Sequence, residues 1–96
     1  MNYTMEHYAD LLLPMVRNLE LKMLTPVYPE AYAQLLVIEG NLHLSVETSS
    51  NPLLISEYTI LFAKELENDD WKDKIEGRIK DKFLLLINWK NGQTMQ

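Results

Sequence analysis

Trp71, Ile75, Ile79, Phe83 and Leu86 stand four, four, four and three residues apart. That spacing keeps all five on one side of an α-helix. Asn68, Asp69 and Asp70 precede the row with side chains suited to cap a helix N-terminus. Asp70 with Lys74, and Glu76 with Lys80, are acid-before-base pairs at four residues, the favourable order. The pattern predicts a helix from Asn68 to Asn91, ended by Asn91-Gly92. Phe83 to Ile87 is apolar on every side, which calls for deep burial of that end, or else a strand. A chain with this ridge has something to bury, and its folding is constrained accordingly.

At 96 residues the chain fits one domain, residues 1–96. A hydrophobic fraction of 47% is too rich for a disordered chain. With no cysteine there is no disulfide framework, thiolate nucleophile or cysteine-based zinc site. This leans towards a reducing compartment, and a cytoplasmic location is the expectation. Met1 to His7 carries no basic leader, and the longest apolar run is the five residues 83–87. Neither a signal peptide nor a membrane span is therefore expected. Net charge is −5, with six acids and two bases in residues 1–50 and eight acids and seven bases in residues 51–96. Phosphate contacts need an excess of Lys and Arg, so nucleic acid is a poor partner, and an anionic membrane repels the chain. A protein partner with a basic surface is the electrostatically natural one.

Along the chain, Met5, Tyr8, Leu12, Met15, Leu19 and Met23 recur at helical spacing, predicting a first helix from Thr4 to Leu24. Pro14 interrupts it, and the stripe stays in phase across that residue, which favours a kink. Thr25-Pro26-Val27-Tyr28-Pro29 is a connection, with Pro29 suited to the first turn of a following helix. Residues 29–48 read two ways. As a helix, Tyr32, Leu35, Leu36, Leu42 and Val46 share a face, interrupted by Glu39 and weakened by Gly40. As a hairpin, Gln34–Ile38 pairs with Leu42–Val46 across Glu39-Gly40-Asn41, and the strict alternation of Leu42-His43-Leu44-Ser45-Val46 is a strand pattern. Asn51 and Pro52 then read as N-cap and first residue of a helix from Pro52 to Glu67. The resulting expectation is an all-α fold, a bundle of about four helices with the first kinked at Pro14. An α+β fold with a hairpin near residues 33–47 is the alternative.

Motifs for chemistry are sparse. Glu6, His7 and Asp10 lie within a turn and a half of the first helix, and Glu39, His43 and Glu47 would form a row if helical. Exposed polar faces explain both more simply than a metal site. Ser45, Ser49, Ser50 and Ser56 lack a nucleophile-elbow setting. Gly40, Gly77 and Gly92 are too far apart for a phosphate loop. No enzyme activity, cofactor or metal is expected. Lys72, Lys74, Arg78, Lys80 and Lys82 cluster, but Asp73, Glu76 and Asp81 among them point to a solvated, salt-bridged face. The Met5, Met15 and Met23 stripe could be core, or a face for a homodimer. Glu65, Glu67, Asp69, Asp70 and Asp73 surround Trp71, five acids in nine residues. Helix capping accounts for part of this. An acidic corner beside a large aromatic is also suited to contact a basic partner. The functional expectation is a small acidic inhibitor that occludes a partner stoichiometrically, of the immunity-protein or phage anti-defence type. The alternative is a homo-oligomeric structural or adaptor protein using its Met/Leu-rich helix face.

Overall fold

The alternating segment at residues 42–46 is the middle of a sheet. The structure, a computed structural model, describes residues 4–48 and 55–94. A helix α1 (Met5–Leu19) leads into a π-helical turn (Glu20–Leu24). Three strands follow, β1 (Tyr32–Ile38), β2 (Asn41–Glu47) and β3 (Ile55–Leu61), then a 3-10 turn (Ala63–Glu67) and a long helix α2 (Trp71–Thr94). The sheet is antiparallel in the order β1-β2-β3. The fold is therefore α+β, and the expected four-helix bundle is overturned; the alternative with a hairpin near residues 33–47 has the right class.

The hairpin closes more tightly than the expected three-residue loop. Ile38 pairs with Asn41, so Glu39 and Gly40 alone make the turn, with φ of +51° and +80°. Positive φ at both central residues is the turn whose twist matches a hairpin. Gly40 adopts it freely, whereas Glu39 bears a cost of roughly 1 kcal/mol.

The segment expected to be a helix from Pro52 to Glu67 is instead β3 followed by the 3-10 turn. Asn51 and Pro52, read as its cap, lie outside the described residues. The alternation in β3 is broken by a bulge: Leu42 pairs with Leu61, but His43 pairs with Thr59. Ile60 is the extra residue, and a bulge lets two neighbours turn to the same side. Ile60 and Leu61 are both fully buried.

Helix α1 starts at Thr4, whose Oγ1 accepts the His7 N–H at 3.2 Å. It runs as α-helix through Pro14 without a break and passes into the π-helical turn at Glu20–Leu24. Pro14 deprives the Asp10 carbonyl of its usual donor. Both residues are exposed, so water can serve that carbonyl. The N–H of Thr25 donates to Glu20 O at 2.9 Å, and the widened turn buries Leu24 completely.

One core joins the two layers. Leu42, Leu44 and Val46 of β2 are fully buried among Leu12, Val16 and Leu19 of α1 and Ile75, Ile79, Phe83 and Leu86 of α2. Trp71 packs at its margin, so the row on α2 faces inward as its spacing predicts. The methionine stripe does too: Met5 is buried, and Met15 and Met23 pack against the core. Helix α2 continues past the expected stop at Asn91-Gly92 to Thr94. Phe83 to Ile87 stays helical, but Leu84 and Leu85 are 46% and 53% exposed, so that end is neither a strand nor wholly buried. No helix among the described residues is long and apolar enough to cross a membrane.

Tyr28 fastens the connection to this core. Its hydroxyl donates to the Leu86 carbonyl at 3.0 Å, and its ring is buried. Burial raises the hydroxyl pKa above its ordinary 10.0. Below about pH 10 the folded and unfolded chains both hold the proton, and the contribution to stability is whole. Above that, the unfolded chain ionises first, and stability falls as pH rises towards the folded-state pKa. At neutral pH, Tyr28→Phe should cost about 1 kcal/mol. Urea unfolding from about pH 8 to 11 should show wild type losing more stability than Tyr28→Phe above pH 10. Parallel losses would mean that the hydroxyl is not held neutral by the fold.

Candidate functional site: the acidic corner beside Trp71

The end of β3 turns through Phe62 and the 3-10 turn into α2, and this corner brings together all six residues singled out around Trp71. The corner is hydrogen-bonded throughout: Glu65 N donates to Phe62 O at 2.9 Å, Asn68 N to Glu65 O at 3.0 Å, and Trp71 N to Asn68 O at 3.3 Å. These six residues do not share one role.

Glu65 turns inward. Its Oε2 lies 2.8 Å from Arg78 Nη1, with the carboxylate side chain only 13% exposed. The same nitrogen donates to the Ile60 carbonyl at 3.0 Å. That carbonyl receives the well-directed hydrogen bond, while Glu65 Oε2 accepts none and is held by charge. Arg78 thus ties α2 to the bulged end of β3 and to the corner at once. Trp71 is half-buried and meets Tyr8 of α1 edge-on, with ring centroids 5.2 Å apart at 86°. Such a contact contributes roughly 0.5–1.5 kcal/mol beyond area burial.

Glu67, Asp69, Asp70 and Asp73 remain exposed. Asp70 reaches Lys74 Nζ at 3.8 Å, a surface pair of little energetic weight. The outward face of the corner is therefore anionic, on a base fixed by Arg78, Glu65 and the Tyr8–Trp71 contact. Phe62, 44% exposed at the start of the corner, adds an aromatic that falls within the helix expected from Pro52 to Glu67. Only the failure of that helix brings it to the surface, and no local signal marks it.

The basic cluster on α2 is occupied within the chain. Lys74 and Lys80 face Asp70 and Glu76 at 3.8 and 4.0 Å, and Arg78 holds Glu65. Lys82 and Lys72 lie over the rings of Tyr58 and Trp71 at 4.7 and 5.6 Å. This is the salt-bridged face that the mixed charges suggest.

The histidines separate. Glu6, His7 and Asp10 are exposed on α1. Glu39 sits in the hairpin turn, while His43 and Glu47 share a face of β2, so the helical row does not form. No group of three or more metal-ligating side chains is close enough to hold an ion among the described residues. His43 Nδ1 lies 3.3 Å from Thr59 Oγ1 and 3.7 Å from Glu57 Oε1. A nucleophile relay places hydroxyl and carboxylate on opposite ring nitrogens. Here both crowd Nδ1, so the arrangement orders the sheet surface without setting up a relay.

Arg78→Ala should destabilise the fold by about 1.5–2 kcal/mol, the scale of a charged hydrogen bond discounted for partial exposure. Adding Glu65→Ala should recover part of the loss, because the carboxylate no longer lacks its cation. Thermal melts of the two single variants and the double variant measure this; strict additivity would show that Arg78 and Glu65 do not act as a pair. No protein-family model matches this chain, and no curated protein or solved structure matches it, so the chemistry of these residues is what bears on function.

Proposed function

We propose that the chain is a protein-binding protein which acts by stoichiometric occlusion of a basic surface on its target, as an immunity protein or a phage anti-defence inhibitor does. The reading is carried by one observation: Glu67, Asp69, Asp70 and Asp73 are all exposed around a half-buried Trp71, on a corner fixed by the Arg78–Glu65 pair. A fixed anionic surface presents its charges without first having to be ordered, which lowers the cost of binding. Its field would raise the rate of encounter with a cationic partner. Phe62 and the exposed edge of Trp71 supply the aromatic contact on which hot spots are commonly built. A cytoplasmic location and a non-enzymatic role belong to the same reading.

The competing role, a structural or adaptor oligomer built on the Met/Leu face of α1, has less support, because Met5, Leu12 and Leu19 on that face are buried in the chain's own core. Affinity purification from the native host supplies the target. Glu67→Lys, Asp69→Lys and Asp70→Lys combined should then weaken its binding by at least about 100-fold, at roughly 1 kcal/mol per charge. They should also flatten the salt dependence, with circular dichroism unchanged. Target binding unaffected by the triple reversal would remove the corner from the mechanism.

A further inference from the structure

Edge strands expose a row of unpaired backbone groups and are commonly guarded by charge, proline or a bulge. β3 is guarded: it carries Glu57 and a bulge, and Arg78 occupies the Ile60 carbonyl. β1, the opposite edge, reads Tyr-Ala-Gln-Leu-Leu-Val-Ile. It has neither charge nor proline, in a chain with 14 acids and 9 bases.

Two observations fix which backbone groups of β1 point outward. A two-residue turn closes on a hydrogen-bonded pair, here Ile38 with Asn41. Leu36 and Gln34 then bond to β2, while Val37, Leu35 and Ala33 direct their N–H and C=O groups to the open edge. Independently, Ala33 N donates to Glu20 Oε2 at 2.6 Å, a contact possible only if Ala33 faces away from β2. Glu20 thus guards the first outward N–H. Beyond it, no hydrogen bond from Leu35 or Val37 to anything but β2 is found among the described residues.

We propose that β1 pairs antiparallel with β1 of a second copy of this chain, about a twofold axis at Leu36, to make a continuous six-stranded sheet. In this register Leu35 of each copy faces Val37 of the other, and each such pair exchanges both N–H···O bonds. The free groups are used and Ala33 is left to Glu20. A twofold at Leu35 would require the Ala33 N–H that Glu20 already holds. A twofold at Val37 would set Leu35 against Glu39, whose φ of +51° takes it out of the strand. Charge also selects a second copy at this edge. Two chains of net charge −5 repel across most of their surfaces, and β1 itself carries no acid, so that the seam meets acids only where it ends. At its end, Glu39 of one copy comes opposite Ala33 of the other, where Arg17 stands beside Glu20 at 3.0 Å.

The axis places Leu36 opposite its own counterpart in a non-hydrogen-bonded pair, with Cα atoms about 4.5 Å apart, within disulfide range. The chain has no cysteine, so Leu36→Cys introduces a single reporter. Under mild oxidation it should cross-link as a dimer, while Gln34→Cys, which faces Ile38 in this register, should not. Sedimentation of the wild-type chain alone, from about 1 μM to about 1 mM, should show mass rising from 11.3 kDa to twice that value, across the range of a small interface. Leu36→Lys should raise the dissociation constant at least about tenfold, with unchanged circular dichroism. A wild-type chain that stays at 11.3 kDa throughout, or equal cross-linking of the two cysteine variants, would overturn the pairing. No target is present in these experiments, so their outcome is separate from that of the acidic corner.

Discussion

The two helices and the inward face of β2 share one core. Leu42, Leu44 and Val46 point to one side of that strand, and water is excluded from all three. Burial of such side chains contributes roughly 1.5–3 kcal/mol each. Among the described residues β2 is the strand paired along both flanks, so its backbone groups are satisfied while its inward face is dry. The stripe of α1 lies chiefly against β1 and the row on α2 against β3 and the π turn, and both close over this core. Two amphipathic helices of unequal length could have packed in many ways. A central strand with a single apolar face leaves them one side to occupy.

Two charged side chains from the helical layer finish the sheet, and each does what its chemistry permits. A carboxylate only accepts hydrogen bonds and a guanidinium only donates them. Glu20 accordingly meets an N–H at the β1 edge, and Arg78 meets a C=O at the β3 edge. Each also has a counter-charge, Arg17 for Glu20 and Glu65 for Arg78. Arg17 in turn lies 4.6 Å from the centre of the Tyr32 ring. The π turn matters here: it sets Glu20 at the end of α1 with its side chain aimed at the start of β1, 13 residues further on.

What the chain showed in advance depended on whether its local pattern survived folding. The row from Trp71 to Leu86 did, because a long helix packed along one side keeps its period. Thr4 to Met23 did as well. In β2 the alternation was plain, yet the residues before it, Leu35 to Ile38, are apolar on both faces, and that erases the period of two. Tyr32, Leu35, Leu36, Leu42 and Val46 then fell by coincidence on a helical face. In β3 the bulge turned Ile60 and Leu61 to the same side, which destroyed the alternation that would have marked a strand. The acids around Trp71 were visible as composition. The inward turn of Glu65 was not, because it depends on Arg78, 13 residues away, and on a strand that local periodicity did not reveal.

The distribution of charge over the sheet connects the two proposed surfaces. β3 carries Glu57 and runs directly into the acidic corner, while β1 at the other edge is uncharged. Two copies would therefore be discouraged from meeting corner to corner and left to meet at the edge whose strand carries no acid. Added salt acts in opposite directions on the two contacts. Screening weakens attraction between the corner and a cationic target, and it relieves the mutual repulsion of two negative chains. Pairing through β1 would also keep both corners free, because they adjoin the strand furthest from the axis. Each copy would still face a target, and a target with two basic surfaces would be held by both, with the gain in avidity that comes from an already tethered second contact.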